Sequence, residues 1–204
     1  VDERSKTLKY RPSLREEPIR QGEILTGLTQ IKLDPISFNS DKSKIVSVEH
    51  PFAIVVSQDC DLDWDGRARL GQGSSQKLIP SILFCEIVTA KELLDSILEL
   101  DNAPNDKKSR TWSRAKINKD ERYHFFEAIS ADDDLIKEGL PELGADFKRY
   151  FSIPTDEVYL RIESDLNLKR RCTLRSPYLE HFALRFFAFQ SRIALPEEHY
   201  SQAD

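Results

Sequence analysis

Apolar residues in this chain gather in short, dense runs separated by long polar stretches, and the runs define the expected elements. Glu23-Ile24-Leu25-Thr26-Gly27-Leu28-Thr29-Gln30-Ile31 is rich in β-branched and small residues and predicts a strand. Residues 45–48 predict a second, after which His50-Pro51 marks a corner. Residues 52–57 and 81–88 are nearly unbroken apolar runs, the pattern of strands buried on both faces. Further strands are expected at residues 122–126, 147–153, 157–162 and 168–175.

Two segments carry helix signals. Thr89 stands three residues before Glu92, a capping box, and Leu93, Leu94, Ile97 and Leu98 follow on one face. Near the C-terminus, Ser176 suits the N-cap and Pro177 the first helical position. Leu179, Phe182, Phe186, Phe189 and Ile193 then recur at spacings of three and four until Pro196. Residues 59–76 and 102–119 are polar and predict long loops. The order of strands, helix, strands, helix predicts an α+β fold: a mainly antiparallel sheet curled into a small β-barrel, with one mid-chain helix and a C-terminal amphipathic helix. Residues 1–20 are expected as a flexible arm, 21–198 as a single domain and 199–204 as a tail.

Composition narrows the picture. Hydrophobic residues make up 39% of 204, enough for one core. The formal net charge of -5 argues against a generally basic nucleic-acid binder. No apolar run approaches the roughly 20 residues of a membrane span, and residues 1–6 carry no apolar signal-peptide core. Cys60, Cys85 and Cys172 are odd in number and widely spaced, which predicts free thiols and a cytoplasmic setting.

Gly22-Glu23-Ile24 and Pro51-Phe52-Ala53-Ile54-Val55-Val56-Ser57, an opening strand and a turn proline feeding a valine-rich strand, resemble the start of MazF/PemK-like toxins. The resemblance implies a small barrel that cleaves or binds RNA, in a bacterial toxin or defence setting. Where that family carries an Arg before the turn proline this chain has His50, and no catalytic residue is carried over.

Three constellations could carry chemistry. Asp59, Asp61, Asp63 and Asp65 alternate directly after an apolar run, and Asp61-x-Asp63-x-Asp65-Gly66 matches the start of a calcium loop. The twelfth position holds Gln72 instead of a bidentate Glu, and a solvated acidic loop has the same pattern. Cys60, between Asp59 and Asp61, reads first as a buried thiol that finishes a core strand and reacts slowly. As a nucleophile it would need a base brought by the fold, His124 or His181. The cysteines show none of the paired spacings of structural zinc, and no cofactor is implied.

The third constellation is basic. Lys107, Lys108, Arg110, Arg114, Lys116 and Lys119 surround Trp112 without an acid, and taking these six charges from the net -5 leaves -11 on the rest of the chain. Cations for phosphates and an indole for stacking suit single-stranded RNA, with Lys169, Arg170, Arg171 and Arg175 as an extension. The competing reading is a loop docked on the protein's own acidic surface, such as Asp132-Asp133-Asp134. The C-terminal stripe either buries on the sheet or pairs with a protein partner or a second copy. The leading expectation is a binding or regulatory protein that contacts RNA or a protein. An enzyme centred on Asp59-Cys60-Asp61, either a thiol hydrolase or a metal-dependent nuclease, and a calcium-binding module stand behind it.

Overall fold

The densest apolar runs pair with each other at the centre of the molecule. The computed structural model describes residues 8–37, 43–99, 104–164 and 167–192. Its strands are β1 (Tyr10–Pro12), β2 (Glu23–Leu33), β3 (Ile45–Val55), β4 (Ser81–Thr89), β5 (Tyr123–Phe126), β6 (Leu143–Pro154) and β7 (Lys169–Leu174). They form one antiparallel sheet in the order β1-β7-β2-β3-β4-β6-β5. β3 and β4 are neighbours in the middle, with Ile54 opposite Cys85 and Val55 opposite Phe84. Burial on both faces accounts for their unbroken runs. Ile54, Cys85 and Ile87 enter the core on one face, and Ala53, Val55 and Phe84 the core on the other.

The helices are α1 (Asp59–Arg69), α2 (Ala90–Leu98), α3 (Asn105–Lys116), α4 (Thr155–Ser164) and α5 (Tyr178–Gln190). α5 lays Phe182, Phe186 and Phe189 on one face of the sheet against Ile24, Ile54 and Phe147. α1 and α4 cover the other face through Leu62 and Val158. α2 and α3 pack together beside β5, around Leu93, Ile97, Ala115 and Tyr123. The capping box of Thr89 and Glu92 is formed as its sequence predicts. Among the described residues no helix is long and apolar enough to cross a membrane.

The expected small barrel, with one mid-chain helix and one C-terminal helix, is replaced among the described residues by an open seven-stranded sheet with five helices. The edge strands β1 and β5 share no backbone ladder. Side chains bridge them instead: Tyr10 Oη donates to the carbonyl of Glu127 at 3.1 Å, and Lys9 pairs with the Glu127 carboxylate. Gly22-Glu23-Ile24 and Pro51–Ser57 do lie on paired strands, since Ile24 stands opposite Ile54, but the barrel implied by the toxin resemblance does not close. The corner expected at His50-Pro51 is absent too, because β3 runs straight through it.

Three helices escaped the apolar pattern. α1 replaces the acidic loop; it is held by the i,i+4 pairs Asp63–Arg67 and Asp65–Arg69 and buries only Leu62, Asp65 and Gly66. α3 replaces the second loop. α4 replaces the strand expected at 157–162, where Val158, Leu160 and Ile162 alternate. Its buried positions, Thr155 and Val158, are spaced by three, and Leu160 is 63% exposed. At α5, Pro177 occupies the N-cap position in place of Ser176, while Ile193 and Pro196 lie outside the described residues.

The described part of the N-terminal arm is docked. Tyr10–Pro12 pairs with β7, and Ile19 is fully buried. Arg170 Nε and Nη2 donate to both oxygens of Glu23 at 2.5 and 2.9 Å, and its remaining donors reach the carbonyls of Glu17 and Pro18. Arg171 makes the matching bidentate pair with Asp134 at 2.9 and 2.6 Å and also donates to the Gly139 carbonyl. Burial, the largest single influence, raises the pKa of Asp134, but the hydrogen bonds and charge of Arg171 together with the Ile136 and Gly139 amides outweigh it and lower the carboxyl pKa from its ordinary value.

In urea melts, Phe84→Ala should cost about 3–5 kcal/mol and Ile54→Ala about 2–5. Leu160→Ala on the outer side of α4 should stay within about 0.5 kcal/mol; a core-sized loss there would restore the strand reading. Asp134→Asn should cost about 3–5 kcal/mol, because it leaves the buried Arg171 guanidinium with only the exposed Glu138 carboxylate, at 3.8 Å, as counter-charge.

Candidate nucleic-acid interface

The segment 105–116 has almost no apolar periodicity, yet it has the charge order of a helix. Pro104 precedes it, Asp106 sits in the first turn, and Arg114 and Lys116 sit in the last, each sign opposing the helix dipole. These signals were readable in the sequence. What hid the helix is that it packs through so little, with Ala115 buried and Lys108, Thr111 and Trp112 half-buried.

The packed face determines what remains for solvent. Lys107, Arg110 and Arg114, spaced by three and four, share one exposed stripe. With Pro104, Asp106, Thr111 and Asp120 they line a shallow groove. Lys116 is exposed a quarter-turn beyond the packed face. Among the described residues no carboxylate lies within ion-pair distance of Lys107, Lys108, Arg110, Arg114 or Lys116. Lys108 Nζ instead donates to the Leu98 carbonyl at 2.5 Å, and Arg114 Nη2 to the Lys119 carbonyl at 2.6 Å.

Trp112, expected as a stacking plate, is half-buried beside α2 and β5. Its ring meets Phe125 edge-on at 6.3 Å, and the Lys116 ammonium lies 5.7 Å from its centroid. Arg170 and Arg171 do not extend the patch, since both are buried in their ion pairs. Arg175 donates to the Tyr10 carbonyl at 2.8 Å, and Lys169 alone of that group has an exposed side chain without a bond to a described residue. Asp134 belongs to Arg171, and among the described residues no ion pair joins Asp132 or Asp133 to α3.

The acidic cluster is largely structural. Asp59 accepts from Arg20 Nη2 at 2.8 Å and from the Gln21 amide at 3.2 Å. Asp63 is shared between Arg20 and Arg67. Asp65, fully buried, accepts from Arg69 Nε at 2.7 Å and from the Ile79 amide at 3.0 Å. Asp61 is exposed. On a helix Asp63 points away from Asp61 and Asp65, so the three do not converge as in a calcium loop, and Asp65 is already bonded to Arg69. Among the described residues no group of three or more His, Cys, Asp or Glu is placed to hold a metal ion.

Cys60 is exposed in the first turn of α1, which overturns its reading as a core thiol. Its Sγ contacts Gln58 Oε1 at 3.8 Å and Asp61 Oδ1 at 3.9 Å, and no bond to a histidine is formed. Cys85 and Cys172 are the buried thiols, and burial pushes the pKa of both far up.

The histidines weighed as partners for Cys60 meet each other instead. His124 on β5 and His181 on α5 have ring centroids 5.7 Å apart. Both line a cavity of about 200 Å³ with Lys9, Tyr10, Lys116 and Glu127. Arg185 Nη1 donates to His124 Nδ1 at 2.9 Å and to Asn118 Oδ1 at 3.1 Å; Nη2 donates to the Asp120 and Tyr123 carbonyls. Burial, the Arg185 charge and His181 together hold His124 well below its ordinary pKa of 6.5, and burial and Arg185 lower His181 as well. His50 sits elsewhere, bonded to Glu86 at 2.8 Å and stacked on Phe151.

Comparison of the sequence with protein-family models gives no match, and comparison with curated proteins gives none either.

Two outcomes test this geometry. Iodoacetamide should label Cys60 in the native protein, while Cys85 and Cys172 label only on unfolding; peptide mapping by mass spectrometry reads this directly. The second concerns pH. An unfolded histidine takes up a proton as the pH falls below 6.5, and folded His124 resists doing so, so the unfolded state binds more protons and stability falls with pH. The contribution is complete above 6.5 and is lost progressively as the pH falls below it, with a slope of at most about 1.4 kcal/mol per pH unit for one histidine. Urea melts of His124→Gln should show a shallower decline across that window.

Proposed function

We propose that the protein is a cytoplasmic binding module that holds single-stranded RNA by its phosphates along α3. The observation that carries this reading is the exposed stripe of Lys107, Arg110 and Arg114. It is free of carboxylate partners among the described residues, in a chain where many other arginines, among them Arg20, Arg69, Arg122 and Arg161, are held by acids. The groove beside the stripe gives a polyanion a place to lie, and the excess negative charge elsewhere confines it there. With Trp112 committed to packing, binding relies on cation–phosphate contacts, so it is tolerant of base sequence and sensitive to salt.

Fluorescence anisotropy with a labelled single-stranded RNA at low salt should show binding that weakens as salt rises. Replacing Lys107, Arg110 and Arg114 together by Gln should reduce the slope of log affinity against log salt by about 2, at about 0.7 for each phosphate that is no longer neutralised. Trp112→Ala should lower the urea midpoint. An unmodified protein that does not bind, or a triple variant with an unchanged slope, ends the reading.

A further inference from the structure

The cavity of His124 and His181 lies at the seam where the sheet fails to close. Lys9 and Tyr10 come from β1 and the residue before it, Phe125 and Phe126 from β5, Tyr178 and His181 from α5, and Lys116 and Asn118 from the end of α3 and the turn after it. At about 200 Å³ it is below the roughly 300–1,000 Å³ of sites that enclose a whole drug-sized ligand. It suits a compact group.

The hydrogen bonds state which kind of group. Arg185 is a donor only, so the His124 Nδ1 that receives its proton is the lone-pair nitrogen. A neutral His124 therefore carries its hydrogen on Nε2, and no described residue accepts it. His124 is 5% exposed and lines the cavity, so this donor is directed by a buried, positioned ring. Behind it stands the half-buried Arg185 guanidinium, whose acceptors are all neutral: two carbonyls, an amide oxygen and the imidazole. Arg122, Arg170 and Arg171 each have a bidentate carboxylate; Arg185 has none among the described residues. A half-buried cation with no carboxylate bonded to it, and the Asp120 charge acting only from a distance, favours an anion nearby. Lys116 and His181 line the same cavity, together with Lys9, and the Lys116 ammonium rests 5.7 Å from the Trp112 centroid, on a long side chain that can turn toward an anion. The one acid lining it is Glu127, whose charge Lys9 already answers and whose side chain is 61% exposed.

We propose that this seam cavity binds a terminal phosphate group, free or as a monoester, with His124 Nε2–H, His181 and Lys116 as its donors. Two sources share that chemistry: a free phosphate or mononucleotide, and the terminal phosphate of a strand lying on α3, to whose last turn Lys116 belongs. The second source rests on the reading of α3 proposed above; the pocket itself does not.

The test uses the whole chain and inorganic phosphate as the first probe. Long-range proton–nitrogen correlation spectra of the imidazoles should show His124 as the Nε2–H tautomer, and phosphate should shift the His124 and His181 resonances. By calorimetry, AMP should bind at least roughly tenfold tighter than adenosine, the range of one charge-assisted hydrogen bond. His181→Asn and Lys116→Gln, both at exposed positions, should each weaken phosphate by roughly tenfold. The triple Gln variant at Lys107, Arg110 and Arg114 should bind phosphate unchanged, which separates this site from the α3 reading. An RNA with a terminal phosphate binding tighter than its hydroxyl-ended counterpart, with the gain lost in His181→Asn, assigns the strand end as source; equal binding assigns the free phosphate. The proposal is overturned if phosphate leaves both histidines unmoved, if AMP and adenosine bind alike, or if His124 carries its hydrogen on Nδ1.

Discussion

Two adjacent arginines on β7 decide what the sheet can carry. Arg170 and Arg171 point to opposite faces, as successive strand residues must, and each is met by a carboxylate with no exposure, Glu23 on one side and Asp134 on the other. Each also binds backbone carbonyls of a segment with little apolar content of its own: residues 17–18 on one face, the turn ending at Gly139 on the other. Such pairs add little net stability compared with well-packed apolar side chains, but breaking one leaves a charge buried alone. Their effect is placement. They bring the N-terminal segment onto β7 as an edge strand and fold the 130–139 segment over the same strand.

That placement creates the seam. With β1 on one edge and β5 on the other, the sheet curves until Lys9 and Tyr10 reach Glu127, yet no backbone ladder closes it. α5 lies over one face, and its Arg185 spans the end of α3 and the start of β5 by donating to Asn118, Asp120, Tyr123 and His124. One guanidinium thus orders the chain leaving α3 and sets the tautomer of a buried histidine. The stripe on α3 and the seam cavity are neighbours for this reason, joined at Lys116.

Charge is handled in two opposite ways within the same fold. On α1 the carboxylates of Asp59, Asp63 and Asp65 are each answered by Arg20, Arg67 or Arg69, so a dense acidic run becomes part of the scaffold. On α3 the cations are left without acids among the described residues, and their field reaches into solvent. Equal densities of charge in the sequence therefore carry different meanings, and the difference lies in which arginines the fold brings near.

Elements whose burial pattern is local could be read from the chain alone. Unbroken apolar runs marked β3 and β4 as interior strands, the Thr89–Glu92 box marked the start of α2, and Phe182, Phe186 and Phe189 marked the buried stripe of α5; each depends on neighbours within a few residues. The basic segment and the histidines were visible as residues, but not their surroundings. Trp112 looked like a free ring until α2 and β5 half-covered it, and Cys60 looked buried until the segment after β3 became a helix that leaves it on the outer side. Whether the sheet closed, where Arg170 and Arg171 found their acids, and that His124 would face His181 were settled by contacts between residues tens of positions apart. Local periodicity records which side of an element is buried, not what it is buried against, and the site is made of those long-range partners.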